Sequence, residues 1–170
     1  YDLRMAVYLS LGSNMGNRLR NLQSAVERLR AELDVTVWRE SRIYETEPVG
    51  DTDQGPFLNM AVSVETTLEP RDLLACLRSI EQELGREPTR HWGPRAIDID
   101  IVLWDDVTES AEDLTIPHPA FRTRAFVLIP LAEIAPLAMD PQTGKHVVDL
   151  CKSLESSQGV HLYGLPPGPD

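Results

Sequence analysis

His91-Trp92-Gly93-Pro94-Arg95-Ala96-Ile97-Asp98-Ile99-Asp100-Ile101-Val102-Leu103-Trp104 is the stretch on which the fold turns. It opens on a glycine-proline turn and continues as a strand. Side chains alternate across a strand, so Ile97, Ile99, Ile101 and Leu103 share one face, and Ala96, Asp98, Asp100, Val102 and Trp104 share the other. Asp98 and Asp100 therefore point the same way, roughly 6–7 Å apart. Carboxylates that close repel by about 2–3 kcal/mol at an effective dielectric of about 20. Magnesium offsets such repulsion, because it takes oxygen ligands and binds through one or two carboxylates plus substrate phosphates. The alternative is a solvated strand face, where acidic pairs are common. Val102 and Trp104 on the same face, and the poor strand propensity of Asp, favour the metal.

Around this stretch the chain reads as alternating short elements. Residues 5–11 are an apolar run suited to a buried strand, ending in the turn-forming Gly12-Ser13-Asn14-Met15-Gly16-Asn17. That loop lacks the Gly-Lys-Ser/Thr ending of a P-loop, and serves either as a strand-to-helix turn or as a backbone cradle near a nucleotide. Leu19, Leu22, Val26, Leu29 and Leu33 recur at helical spacing and predict a helix over 18–33. A second strand is predicted over 35–44, and a turn-rich binding loop follows it. Residues 57–67 form a third strand with Leu58, Met60, Val62 and Val64 on its apolar face. Phe57 and Asn59 lie opposite, as ordinary packing or as a stacking ring beside a hydrogen-bonding amide for a flat heterocycle.

Pro70 starts a second helix, which Gly85 ends. Glu81 lies at the edge of its apolar face, either a boundary glutamate or one aimed into a site. Arg86, Arg90, His91 and Arg95 cluster just before the aspartate strand. In an acidic chain such a cluster suits a polyphosphate, and compensation of the helix dipole accounts for Arg86 alone. A brief strand over 114–116, a proline-flanked His118, a helix over 125–134 and a last helix over 147–154 complete the series. The order strand, helix, strand, strand, helix, strand is the βαββαβ, ferredoxin-like pattern of an α+β fold: an antiparallel sheet with helices packed on it and a C-terminal extension. We read residues 1–160 as one domain and 161–170 as a loose tail.

The chain has 170 residues and a formal charge of −11. One domain of this length buries roughly 70% of its extended surface. The acidity argues against a nucleic-acid partner. No stretch reads as a signal peptide or a membrane span, so a cytoplasmic location and no membrane partner are expected. Cys76 and Cys151 read as inert thiols, with pairing left open.

Six motifs, in order, resemble those of the 6-hydroxymethyl-7,8-dihydropterin pyrophosphokinase family of folate biosynthesis. Besides HWGPRAIDIDIVL at 91–103 and the early GSN at 12–14, they are YETEPVG at 44–50, FLNMAV at 57–62, IEQELGR at 80–86 and LTIPHPAFRTRAFVL at 114–128. The resemblance implies a ferredoxin-like fold and transfer of the terminal diphosphate of ATP to the pterin hydroxymethyl oxygen, releasing AMP. It implies two magnesium ions held by Asp98 and Asp100, about 3.5–4 Å apart. Thr46, Val49, Phe57, Asn59, Trp92 and Phe126 match pterin-pocket positions, with Phe57 and Phe126 sandwiching the ring. Glu81, Arg86, Trp92, Arg95, Ile101, Thr115 and His118 match nucleotide-side or pocket positions, Arg86 near the phosphates, and Arg124 matches another basic residue at the active site. With Asp98 and Asp100, the resemblance makes Arg86, Arg95, His118 and Arg124 catalytic. Pro88 stands where a family form has an arginine, Asp113 where a basic residue can contact nucleotide, and Phe57 where a tyrosine occurs. A monomer is expected, linked in some relatives to other folate enzymes.

Two other classes compete. A noncatalytic binding module would have lost an aspartate or the basic cluster, and neither is lost. A magnesium-dependent phosphohydrolase would leave Phe57, Asn59 and Phe126 without a shared purpose.

Overall fold

The structure is a computed structural model that describes residues 4–47, 55–85 and 96–164. β1 (Met5–Ser13) leads through a loop into α1 (Arg18–Ala31), where the Asn17 side chain caps the helix by accepting from the Arg20 N–H. Leu22, Ala25, Val26 and Leu29 make its buried face. The helix stops short of the expected Leu33: Glu32 turns extended, and Leu33 projects fully into solvent.

The predicted second strand is interrupted. β2 (Val35–Glu40) and β3 (Ile43–Thr46) lie in succession along β4 (Phe57–Thr66), separated at Ser41-Arg42. Pairing persists through the break, because the Ser41 hydroxyl accepts from the Ala61 N–H and donates to the Arg42 carbonyl. α2 (Pro70–Leu84) buries Leu73, Leu77, Ile80 and Glu81, and β5 (Asp98–Trp104) follows. A small hairpin of β6 (Glu109–Ser110) and β7 (Thr115–Ile116), then α3 (Ala125–Ile134), α4 (Val147–Lys152) and β8 (Val160–Gly164) complete the order. β8 pairs with β3, so residues 161–164 belong to the sheet rather than to a loose tail; residues 165–170 lie outside the described part.

The main sheet runs β5-β1-β4-β3-β8 with every pairing antiparallel, and β2 shares the β3 edge of β4. This is the expected ferredoxin-like order. α1 and α2 bury one face, where Leu22, Leu29, Leu73, Leu77 and Ile80 meet Leu9, Met60, Val62 and Ile99. α3 and α4 cover part of the other, where Leu128, Leu131 and Leu150 meet Ala61 and Leu103. Cys76 and Cys151 are free thiols.

The strict alternation expected of β5 fails at one place. Ile101 pairs with Leu9 and Leu103 with Tyr8, leaving Val102 as an extra, bulged residue. A bulge resets the two-residue period. Trp104 therefore enters the isoleucine-side core, and Leu103 joins Val102 beside α3, the reverse of the expected placement of each. The aspartates precede the bulge and keep their common face.

Behind α3, Asp140 is wholly buried and accepts hydrogen bonds from Arg122 (2.9 Å to Oδ1), Thr143 (2.7 Å) and the Gln142 N–H (3.0 Å). Burial pushes its carboxyl up, but these bonds outweigh burial and hold it at about 2. A folded-state value below the unfolded one stabilises above the unfolded pKa, and that stability is lost as pH falls through the folded value. Asp140→Asn should therefore cost about 2 kcal/mol at neutral pH, a gap that closes between about pH 4 and pH 2 in urea titrations.

Candidate active site

Register brings the candidate residues into a row on the α3 side of the sheet. Asp98 pairs with Gly12, Gly12 with Asn59, and Asn59 with Tyr44; one step along, Asp100 pairs with Ser10 and Ser10 with Ala61. Thr46 pairs with Phe57. Asn59 is buried, and its Nδ2 donates to the Thr46 hydroxyl at 2.8 Å. A Cβ on Gly12 would meet Asn59 Oδ1 at 3.0 Å and the Phe57 ring at 3.6 Å, so only glycine leaves the amide in place. The result is a polar floor of glycine, serine, amide and hydroxyl, with Phe57 on one side and the aspartates at the sheet edge.

β5 is an edge strand, and its outward backbone groups need partners. The buried Glu81 carboxylate accepts from the Ile99 N–H at 2.8 Å, and Arg78 donates to the Ile99 carbonyl at 3.0 Å and to Glu81 at 2.7 Å. Ile99 lies between the two aspartates, so α2 pins the strand at the point that aims them. Glu81 is thus a glutamate turned inward onto the strand. Ile101, expected on the nucleotide side, has its side chain buried in the core. The entry to β5 is held similarly: Ser13 and Asn21 both donate to the Ala96 carbonyl, and Asn21 also bonds the Met15 carbonyl. The glycine-rich loop therefore acts here as a strand-to-helix turn, with Gly16 at positive φ.

His118 docks on the bulge, its N–H donating to the Val102 carbonyl at 2.9 Å. Its Nδ1 accepts from the Ala120 N–H, which leaves Nε2 as the protonated nitrogen of the neutral ring. Burial lowers its pKa; Asp100 raises it and Arg124 lowers it, so both charges lie within electrostatic reach of the ring. Arg124 immediately precedes α3, and its guanidinium carbon lies 5.7 Å from the centre of the Phe126 ring. Thr115 stands half-buried on β7, donating to the Ala111 carbonyl. Asp113 pairs with Arg71 of α2 at 2.7 Å. Val49, Arg86, Arg90, His91, Trp92 and Arg95 lie outside the described residues, as does most of the turn-rich binding loop after residue 47.

Sequence reading passed over Gly12 as a floor residue, and over Arg78, Ser10 and Tyr44. Arg78 had a signal, its position three residues before Glu81 on one helix. Tyr44 is held by Glu133, which also accepts from the backbone and side chain of Arg42, tying α3 to β3 beside the floor.

Among the described residues, two donor sets could hold a cation. Asp98 and Asp100 offer half-buried carboxylate oxygens, the hard donors magnesium takes. Glu45, Glu47 and His161 bring ligand atoms within 4.8 Å of one another. Glu45 lies between Tyr44 and Thr46, so it faces the α1 side, where Arg18 pairs with it at 2.8 Å. An imidazole donor suits transition metals better than magnesium. No helix among the described residues is long and apolar enough to cross a membrane.

Fold and site together define an α+β protein with a carboxylate pair on an outer strand beside a polar sheet floor. A model of the 7,8-dihydro-6-hydroxymethylpterin-pyrophosphokinase family matches residues 8–136, and the chain belongs to that family, whose enzymes transfer a pyrophosphoryl group to a dihydropterin in folate biosynthesis. It is 51% identical over 129 residues to the 2-amino-4-hydroxy-6-hydroxymethyldihydropteridine pyrophosphokinase of Methylorubrum extorquens, covering 76% of this chain and 82% of that one. Identity to the Bacillus subtilis enzyme of the same name is 50% over 127 residues, covering 75% and 76%. The folic acid synthesis protein fol1 of Schizosaccharomyces pombe is 42% identical over 156 residues, which span 92% of this chain but 21% of that one. Among solved structures, wild-type HPPK-DHPS of Plasmodium falciparum superposes with a TM-score of 0.70 at 15% identity, a likeness of fold. The match covers 88% of this chain and 44% of that one, so the chain spans less than half its length.

The pin on β5 is testable. Glu81→Ala removes the partner of a buried N–H and should destabilise the fold by about 1–3 kcal/mol. The expected readout is a lower urea midpoint with an unchanged slope.

Proposed function

We propose that this chain transfers diphosphate from magnesium-ATP to the hydroxymethyl group of 6-hydroxymethyl-7,8-dihydropterin and releases AMP. The hydroxymethyl oxygen forms a bond to the β-phosphorus of ATP. The bond from that phosphorus to the oxygen bridging to the α-phosphate breaks, AMP leaves with that oxygen, and the hydroxyl proton passes to solvent. The observation that carries this reading is the shared row of Asp98, Gly12, Asn59 and Tyr44, which sets a carboxylate pair beside a polar floor fit for a flat heterocycle.

Asp98 and Asp100 would hold two magnesium ions. Bound there, the ions would neutralise the phosphate oxygens and favour departure of AMP. Phe57 and Phe126 would stack on the pterin, and Asn59, braced by Thr46, would bond its polar edge. Val49 and Trp92 would complete that pocket. His118, neutral with Nε2 protonated, would donate to phosphate, alongside Arg86, Arg95 and Arg124. Thr115 would take the nucleotide side, and the β5 edge, pinned by Glu81 at Ile99 and continuing through Ile101, would border the nucleotide. The work is positioning and charge neutralisation, with no covalent enzyme intermediate.

Pterin-dependent AMP release from magnesium-ATP tests the reaction, and ADP or free phosphate as the product would overturn it. Asp98→Ala and Asp100→Ala should each lower AMP formation by about a hundredfold or more while leaving the circular dichroism spectrum unchanged. Gly12→Ala should raise the pterin dissociation constant roughly tenfold, measured calorimetrically, because the new methyl displaces Asn59.

A further inference from the structure

Arg78 occupies the outer edge of the aspartate strand. Its Nη1 is engaged twice, by the Glu81 carboxylate at 2.7 Å and the Ile99 carbonyl at 3.0 Å. Those bonds fix the guanidinium against the strand, because Glu81 is itself buried and bonded to the Ile99 N–H. Nη2 then stands 4.0 Å from Asp100 Oδ1. That separation gives attraction without a hydrogen bond, so the carboxylate oxygen stays available to an ion.

The geometry points to Arg78 as a resident counter-ion of Asp100, a positioning residue that makes ion loading depend on the arrival of a polyphosphate. This rests on the reading of Asp98 and Asp100 as the ion-binding pair. A dication entering the site alone must settle beside a guanidinium that cannot withdraw, and like charges repel. A polyphosphate adds the negative charge that offsets both the dication and the guanidinium. Ions therefore bind weakly to the empty protein and tightly together with nucleotide. Glu81 serves the device by anchoring Arg78, and the partial exposure of both Arg78 and Asp100 keeps the effect modest.

The test is a titration of the nucleotide-free protein with Mn2+, followed through the electron paramagnetic resonance signal of the free ion. Arg78→Gln removes the charge and should tighten Mn2+ binding roughly threefold, the scale of an exposed ion pair. Arg78→Lys keeps the charge but not the two-point clamp, so the ammonium can withdraw, and Mn2+ affinity should lie between those of the parent and Arg78→Gln. Tightening of Mn2+ by a nonhydrolysable ATP analogue should shrink in Arg78→Gln by the same factor. The double variant Glu81→Gln, Arg78→Gln removes the buried charge that the single variant leaves, and should show the same shift. Unchanged or weaker Mn2+ binding in Arg78→Gln overturns the proposal, as does an Arg78→Lys protein that binds Mn2+ more tightly than Arg78→Gln. Asp100→Asn separates the two readings. Parent-like Mn2+ affinity there overturns the ion-binding pair and the proposal with it, whereas lost affinity there with an unaltered Arg78→Gln overturns the counter-ion alone.

Discussion

The Ile99 N–H is given to a buried carboxylate, and the geometry of the site follows from that bond. Among the described residues β5 is the last strand of the main sheet on its side, and its outward groups meet no neighbouring strand there. Glu81 supplies the partner from α2, whose leucines and isoleucine sink into the sheet on the same side as Ile99. Core packing thus decides where Glu81 reaches, Glu81 decides where Ile99 stands, and the residues flanking Ile99 point to the opposite face. The aspartates are aimed by a helix that lies on the other side of the sheet from them.

The bulge at Val102 continues the same logic. An extra residue in one strand turns a carbonyl out of the ladder and bends the strand. Here the Val102 carbonyl receives the His118 N–H, which brings the proline-flanked histidine to the aspartate end of the sheet. The phase change also carries Trp104 into the core under α1 and α2, just past the point where the strand's pairing is irregular. One local defect therefore supports both the position of the His118 loop and the burial of a large side chain.

The two faces of the sheet divide the work. The face under α1 and α2 carries the larger apolar cluster, in which both helices pack on the strands. The other is apolar where α3 and α4 cover it; toward Gly12 and Asp98 it carries glycine, serine, amide and carboxylate groups. Glu133 joins the halves, holding Tyr44 and Arg42 at the boundary. Sites placed on rigid strands keep their geometry better than sites placed on loops.

By itself the sequence determined the element order, the sheet class, the common face of Asp98 and Asp100, and the family. Those rest on periodicity, turn residues and contiguous motifs, all of which act between neighbours along the chain. Tertiary structure decided the break between β2 and β3, the bulge that reverses Leu103 and Trp104, the pairing of β8, and the inward aim of Glu81. Each depends on a partner far away in sequence: Ala61 for Ser41, Leu9 and Tyr8 for the bulge, Tyr44 for Leu162, and Ile99 for Glu81. A run such as Ile-Val-Leu-Trp is apolar throughout, so no local pattern marks which residue lacks an opposite number. Only the register of the neighbouring strand does, because backbone hydrogen bonds are satisfied in space and not along the chain.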